Sequence, residues 1–233
     1  LALIAADQKE DAVKFIKNIM PIDGIMSGPN GQPSMYEVRN GNHNDPKIYG
    51  TIDKPQFMWA AGWYLYTLYN LYGLNNNEWN ISFEPFLPIN QNKCSFKLSV
   101  NNRSVNVEIV KGPIQRVEID GKEINSFVIP NKVNNPKYIR LTIGKLNKPV
   151  LKTTNSILKS CLYDEKLKKM NIELEAFSNH KNQTIIHSKN KPKNILLNGN
   201  IYDESIIESI EDGYSVTMNI NHENKTEMIE INF

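Results

Sequence analysis

Cysteine is scarce in this chain of 233 residues, and its two copies, Cys94 and Cys161, form neither a disulfide framework nor a metal-ligand motif. Both read as ordinary buried or half-buried thiols. Charge of one sign is lacking too. The formal net charge is +2 and no basic stripe appears, so nucleic acid is not suggested as a partner. There is no glycine-rich phosphate loop, no Ser/His/Asp order and no CxxC pair, and no cofactor is implied. His180, His187 and His222 are scattered, with no Cys or carboxylate at zinc-ligand spacing. Each is expected as a solvated side chain, and no metal is expected. A basic flank, apolar run and small-residue cleavage site are also missing, so no signal peptide is read. The chain opens at Leu1 inside an apolar helical run (Leu1, Leu3, Ile4, Ala5, Ala6), which reads as a piece of something longer. Sequons at Asn80, Asn102, Asn182 and Asn224 are what chance supplies in so asparagine-rich a chain.

What stands out is a long uncharged segment. No residue between Lys54 and Glu78 carries a charge, and Phe57, Trp59, Trp63, Tyr64, Tyr66, Tyr69 and Tyr72 crowd into it. Apolar residues fall on every face at helical spacing, predicting an inner helix buried nearly all round, stopped by Gly73. A membrane span needs roughly 20 predominantly apolar residues. Gln56, Gly62, Thr67 and Asn70 make this a poor one, so no membrane is expected.

Composition changes sharply near Gly73. Before it the pattern is helical, with an amphipathic stretch through Ala12, Val13, Phe15, Ile16 and Ile19 that Pro21 stops. A long loop over 22–54 carries Tyr36, Glu37, Arg39, His43, Asp45 and Tyr49, and loops of that length are usually functional or disordered. After Gly73, alternation predicts strands at 94–100, 105–110, 115–119, 138–143, 171–176, 183–187, 194–197, 214–220 and 227–233. Asp120-Gly121 and Asn198-Gly199 predict hairpin turns, because both central residues tolerate φ > 0. Their surroundings share a layout at an offset of 78 residues. The charged run from Asp164 to Lys169 predicts the solvated face of a short helix over 162–169.

The ordered set LIAADQKEDAVKFIKNIMP, a loop containing YEV, QFMWAAGWYLYTLYNLYGL, ISFEPFLP and VEIDGKEINSFVIP resembles the carboxyl end of an (α/α)6-barrel carbohydrate enzyme. Bacterial cellobiose-phosphorylase-like proteins and glucoamylase-type and rhamnosidase-type hydrolases share this order. The resemblance covers about residues 1–146. It implies an α+β multidomain fragment: terminal helices of an (α/α)6 barrel over 1–76, an antiparallel β-sandwich over 77–146, and a second β-rich module over 147–233.

The resemblance also implies a chemistry. Inverting glycosidases use two carboxyl groups, one as acid and one as base. Glu37 occupies the place of the base, in the loop before the last aromatic helix, with Tyr36 and Arg39 beside it to orient the carboxylate or lower its pKa. Trp59, near the loop end of that helix, is the candidate for stacking on a sugar. A phosphorylase would instead draw on Arg39, His43 and Ser34 to hold phosphate, and Asp45 is an alternative carboxylate. The general acid is expected upstream of Leu1, so the partners are an oligosaccharide or glycoside and the rest of the barrel. The isolated chain is then expected to release no sugar. Two further classes stand beside this one: a catalytically silent carbohydrate-binding β-sandwich, and a protein-interaction module. Phe96, Phe127, Tyr138, Phe177, Tyr202 and Tyr214 are too widely spaced to form an aromatic row and are read mostly as core.

Overall fold

The computed structural model describes residues 1–19, 38–39, 44, 52–53, 58–76, 79–100, 103–133 and 135–233. The chain divides into two compact units, Leu1–Tyr72 and Gly73–Phe233. In the first, α1 (Ala2–Ala5), α2 (Lys9–Ile19) and α3 (Met58–Leu71) accompany a short ribbon of β1 (Val38–Arg39) with β2 (Ile52–Asp53). The aromatic segment does form a helix, and it stops where expected. The Tyr72 N–H closes the last turn on the Leu68 carbonyl, and Gly73 follows at φ 82. It is not buried all round: Leu65 and Tyr66 are 52% and 54% exposed.

Among the described residues, every regular element of the second unit is a strand. β3 (Leu74–Asn76) pairs with β4 (Ile81–Phe83). Next come β5 (Lys93–Val100), β6 (Arg103–Ile114), β7 (Arg116–Ile119), β8 (Lys122–Ile124) and β9 (Tyr138–Lys145), forming one sheet in the order β5-β6-β9-β7-β8. One face of it is dry, with Val105, Val107, Ile109, Val117, Ile139 and Leu141 at most 1% exposed.

The remaining strands make a two-layer sandwich. β10 (Val150–Thr154), β13 (Lys181–Ser188), β17 (Gly213–Asn221) and β16 (Ile206–Ile210) form a four-stranded sheet in that order. β11 (Ile157–Asp164), β12 (Lys169–Glu175), β18 (Thr226–Asn232), β14 (Asn194–Leu197) and β15 (Asn200–Ile201) form the five-stranded partner. Strict alternation explains the layering: Met170, Ile172 and Leu174 of β12 and Ile229 and Ile231 of β18 face Ile186 of β13 and Val216 and Met218 of β17 in one core. Segment 125–129 is stitched to β4 through Phe83 N–H to Phe127 O and to β10 through Phe127 N–H to Leu151 O, at 2.9 and 2.8 Å.

Both expected hairpin turns are present. Asp120 and Gly121 take φ 49 and 78, and Asn198 and Gly199 take φ 52 and 84, the left-handed pair of a tight primed turn. Each hairpin, β7–β8 and β14–β15, closes one edge of a five-stranded sheet. The likeness at an offset of 78 residues ends there, because β6 pairs with β9 in parallel whereas β12 pairs with β18 antiparallel.

The expected fold class is corrected. Among the described residues the structure is nearly all β, with three short helices and no (α/α)6-barrel helices. The β-sandwich part of the expectation stands. The helix expected over 162–169 is also corrected. Those residues end β11, turn at Asp164–Lys168 and begin β12, because pairing Ile157–Asp164 with Lys169–Glu175 buries Leu158, Met170, Ile172 and Leu174.

Candidate functional site

The two outer faces of the sandwich differ in chemistry. On the five-stranded sheet the exposed rows are ionic: Lys132 with Glu173 at 2.9 Å, Lys159 with Glu175 at 3.0 Å, Lys169 with Glu230 at 2.6 Å. Each lysine holds its carboxylate below the usual range by donating a hydrogen bond to it. The four-stranded sheet presents rows set by the β13–β17 register: Lys181 opposite Asn221, Gln183 opposite Asn219, Ile185 opposite Thr217, His187 opposite Ser215. Amides and hydroxyls dominate this face.

At one end of that face lies an open concavity of about 430 Å³, lined by Asn155, Lys181, Asn182, Gln183, Asn219, Ile220 and Asn221. Asn155, in the turn between β10 and β11, forms its wall. The Asn155 Oδ1 accepts the Gln183 N–H at 2.7 Å, and its Nδ2 donates to the Lys181 carbonyl at 3.1 Å. Gln183 Nε2 donates to Asn219 Oδ1 at 3.2 Å. Among the described residues nothing takes Gln183 Oε1, Asn219 Nδ2, the Asn221 carboxamide or Lys181 Nζ, so both donors and acceptors border the open space.

A buried polar layer supports the floor. Asn182, 2% exposed, accepts from Thr154 Oγ1 at 2.9 Å and donates to Thr184 Oγ1 at 2.8 Å. Asn80, 6% exposed, donates to the Ser156 carbonyl at 2.7 Å and accepts the Leu158 N–H at 3.1 Å. Ser156 Oγ lies 2.9 Å from His222 Nε2, and both residues are at most 1% exposed. These buried hydrogen bonds fix the turn that carries Asn155. Asn80 and Asn182 are both sequon asparagines with their amides engaged in the interior, Asn224 is exposed in the β17–β18 turn, and Asn102 lies outside the described residues.

An aromatic group adjoins this wall. Phe177 is 72% exposed, and its ring meets Trp79 edge-on at 5.6 Å. His180 lies 6.2 Å from Trp79 and 5.9 Å from His222, and its Nε2 donates to the Asn155 carbonyl at 3.0 Å. Phe177 is therefore not the core residue that its spacing suggested. The expectation of solvated histidines is corrected at His222, which is fully buried because its backbone pairs with the Phe177–His180 turn. Cys94 is half-buried and Cys161 buried, as read, and burial pushes the Cys161 thiol up.

The sequence-derived site residues fare differently. Tyr36, Glu37 and His43, like Ser34 and Asp45, lie outside the described residues. Arg39 sits in β1, paired with Ile52, and Trp59 lies in the first turn of α3; the side chains of both are outside the description. Among the described residues no group of three or more His, Cys, Asp or Glu is placed to hold a metal ion. No helix among them is long and apolar enough to cross a membrane.

No family model matches this chain, and no curated protein matches it. The resemblance to (α/α)6-barrel hydrolases and phosphorylases is corrected on both counts, by the missing match and by the strand-dominated fold.

Two histidines, His222 buried and His187 half-buried, set an acid limit on stability. Burial, and then Lys152, pushes His187 from its ordinary 6.5 down to about 4. Burial also lowers His222. Below pH 6.5 the unfolded chain takes up protons that the folded chain refuses, so stability falls between pH 6.5 and 4. Glu108 is held low by hydrogen bonds from Lys93 and then Tyr138, and Glu173 by Lys132, so their contributions are present above the ordinary carboxyl value of 4.5 and are lost as the pH falls below it. Urea midpoints are expected to drop steadily from pH 7 to 4. In His187→Gln the part of that drop between pH 6.5 and 4 should shrink. An unchanged slope would remove His187 from the account.

Proposed function

We propose that the β-sandwich is a carbohydrate-binding module that takes neutral glycans in the concavity between Asn155 and the β13–β17 rows. The observation that carries this reading is the lining: of its seven residues, Asn155, Gln183, Asn219 and Asn221 bring carboxamides to the outer face, Asn182 turns its amide into the core, and one is a lysine. A carboxamide offers donors and an acceptor from one rigid plane, which matches the hydroxyls of a sugar, each of them donor and acceptor at once. An anionic ligand would call for several cationic groups, and here Lys181 is alone. The exposed Phe177 ring and its Trp79 neighbour add an apolar surface suited to the C–H face of a pyranose. Hydrolysis of a glycosidic bond uses a pair of carboxyl groups. This concavity holds amides, so its chemistry is recognition.

The test is calorimetry with cellohexaose, xylohexaose, mannohexaose and maltohexaose, beside heparin and polygalacturonate oligomers. Binding of a neutral member is expected, and Gln183→Ala/Asn219→Ala should weaken it about tenfold or more, from the loss of two or more hydrogen bonds of roughly 0.5–1.5 kcal/mol each. The melting temperature should hardly move, because both side chains are exposed. Preference for the anionic oligomers, or affinity unaffected by the double variant, would refute the assignment.

A further inference from the structure

We infer that proton uptake by His222 dismantles the wall of the concavity, so that glycan binding there is lost on acidification. The ligand half of this statement rests on the glycan-binding reading, and the wall half does not.

His222 is fully buried at the foot of β17–β18, and its Nδ1 is the one buried side-chain atom without a hydrogen-bond partner among the described residues. In the neutral tautomer that donates from Nε2 to Ser156 Oγ, that atom is a bare lone pair. Once protonated it carries an N–H into a dry site. Each element packed against the ring offers it little. Ser156, from the β10–β11 turn, brings only a hydroxyl to Nε2. Glu227 of β18 is the nearby carboxylate, but it is 1% exposed and already accepts from the backbone N–H groups of Glu223 and Asn224 and from Asn198 Nδ2. Burial opposes the proton and outweighs the two groups that favour it, the Asn224 carbonyl and then Glu227, while His180 opposes it as well.

The strain has one mechanical outlet. The His222 N–H donates to the His180 carbonyl at 2.9 Å, and the His222 carbonyl accepts from Asn179 N–H at 2.7 Å. Hydrating the imidazolium means opening these bonds and the Ser156 contact. Both steps move the groups that hold Asn155: its carbonyl rests on His180 Nε2, and its own turn includes Ser156. With Asn155 displaced, the Gln183 N–H and the Lys181 carbonyl lose their side-chain partner and the concavity loses one side. A buried imidazole thereby acts as the pH-sensitive support of an exposed binding wall.

The experiment follows the His222 ring and the Gln183 amide proton by NMR from pH 7.5 to 4.5 in the ligand-free protein. Calorimetry with the same four neutral hexaoses at pH 7.5 and 5 runs beside it. The two signals should titrate together with a midpoint below 6.5, and hexaose affinity should fall at least tenfold at pH 5. His222→Gln, which keeps a donor for Ser156 but takes no proton, should abolish the amide transition and hold affinity at pH 5, whereas His180→Gln should retain the transition. If His222→Gln does not fold, coincidence of the ring and amide midpoints in the unaltered protein decides the matter. A ring that titrates without the amide, a ring that stays neutral throughout, or an amide transition that survives in His222→Gln would overturn the switch. Absence of hexaose binding at pH 7.5 would overturn the glycan reading alone, with the amide transition still deciding the wall.

Discussion

Gly73→Ala is expected to destabilise the β unit by about 3 kcal/mol or more, because the added methyl has nowhere to go. A Cβ built there lies 1.7 Å from the Glu84 carbonyl oxygen and 3.0 Å from the Pro85 nitrogen, both backbone atoms. Relief means parting Gly73 from Glu84, whose N–H donates to the Gly73 carbonyl at 2.7 Å, and that opens the β3–β4 ribbon at its Leu74–Phe83 pair. Phe83 is 2% exposed and donates its N–H to Phe127, so the disturbance reaches segment 125–129. The backbone also stands at φ 82, which adds roughly 1 kcal/mol for any residue with a side chain. Gly121→Ala is the control, since it shares the conformation at φ 78 but meets nothing within 4 Å. Thermal melts should show a fall of about 10 °C for Gly73→Ala and a fraction of that for Gly121→Ala. Equal losses would mean that conformation matters and the close approach does not.

Local chemistry was legible in the sequence and tertiary chemistry was not. Asp120-Gly121 and Asn198-Gly199 declare their turns because the required φ > 0 is a property of two adjacent residues. The strands at β5, β12, β13, β17 and β18 declare themselves by alternation, which one buried face imposes. The run after β11 misleads for a physical reason. Asp164 Oδ1 accepts the N–H groups of Lys166 and Leu167 at 2.8 and 3.0 Å, which is the chemistry of a helix N-cap used in a strand-to-strand turn. The aromatic segment misled at a higher level. Its helix is real, but one uncharged helix says nothing of how many others surround it.

The candidate site was hidden for a similar reason. Gln183 and Asn219 are 36 positions apart and meet only through the β13–β17 register. In a chain so rich in asparagine no single carboxamide stands out, and the β10–β11 turn containing Asn155 carries no motif. His222 and His187 look alike in sequence, yet one is fully buried against Ser156 and the other half-buried on an outer face. Trp79 meets the rings of Phe177 and His180, about a hundred positions along the chain, a pairing that no local pattern announces.

Asn80→Ala should cost the β unit heavily although the side chain touches no ligand. The side chain reaches from the residue before β4 into the β10–β11 turn, donating to the Ser156 carbonyl and, at 3.4 Å, to the Thr154 carbonyl, and accepting the Leu158 N–H. All of this lies in the interior, with Ser156 at 1% and Leu158 at 0% exposure. Truncation leaves the Leu158 N–H and the Ser156 carbonyl unpaired in the interior at roughly 1–3 kcal/mol each, so a loss of about 4 kcal/mol is expected. The same truncation frees the turn that aims Asn155 at Gln183, so glycan affinity should fall as well, although Asn80 does not line the concavity. Asn80→Asp separates the two roles. It keeps the acceptor for Leu158 and loses both donors, placing a buried carboxylate oxygen against the Ser156 carbonyl. Its destabilisation should equal or exceed that of Asn80→Ala. Urea unfolding and hexaose calorimetry on both variants give the answer. Stability lost with affinity intact would show that Asn80 braces the core without setting the wall, and stability unchanged in Asn80→Ala would remove the buried polar layer as the support of the site.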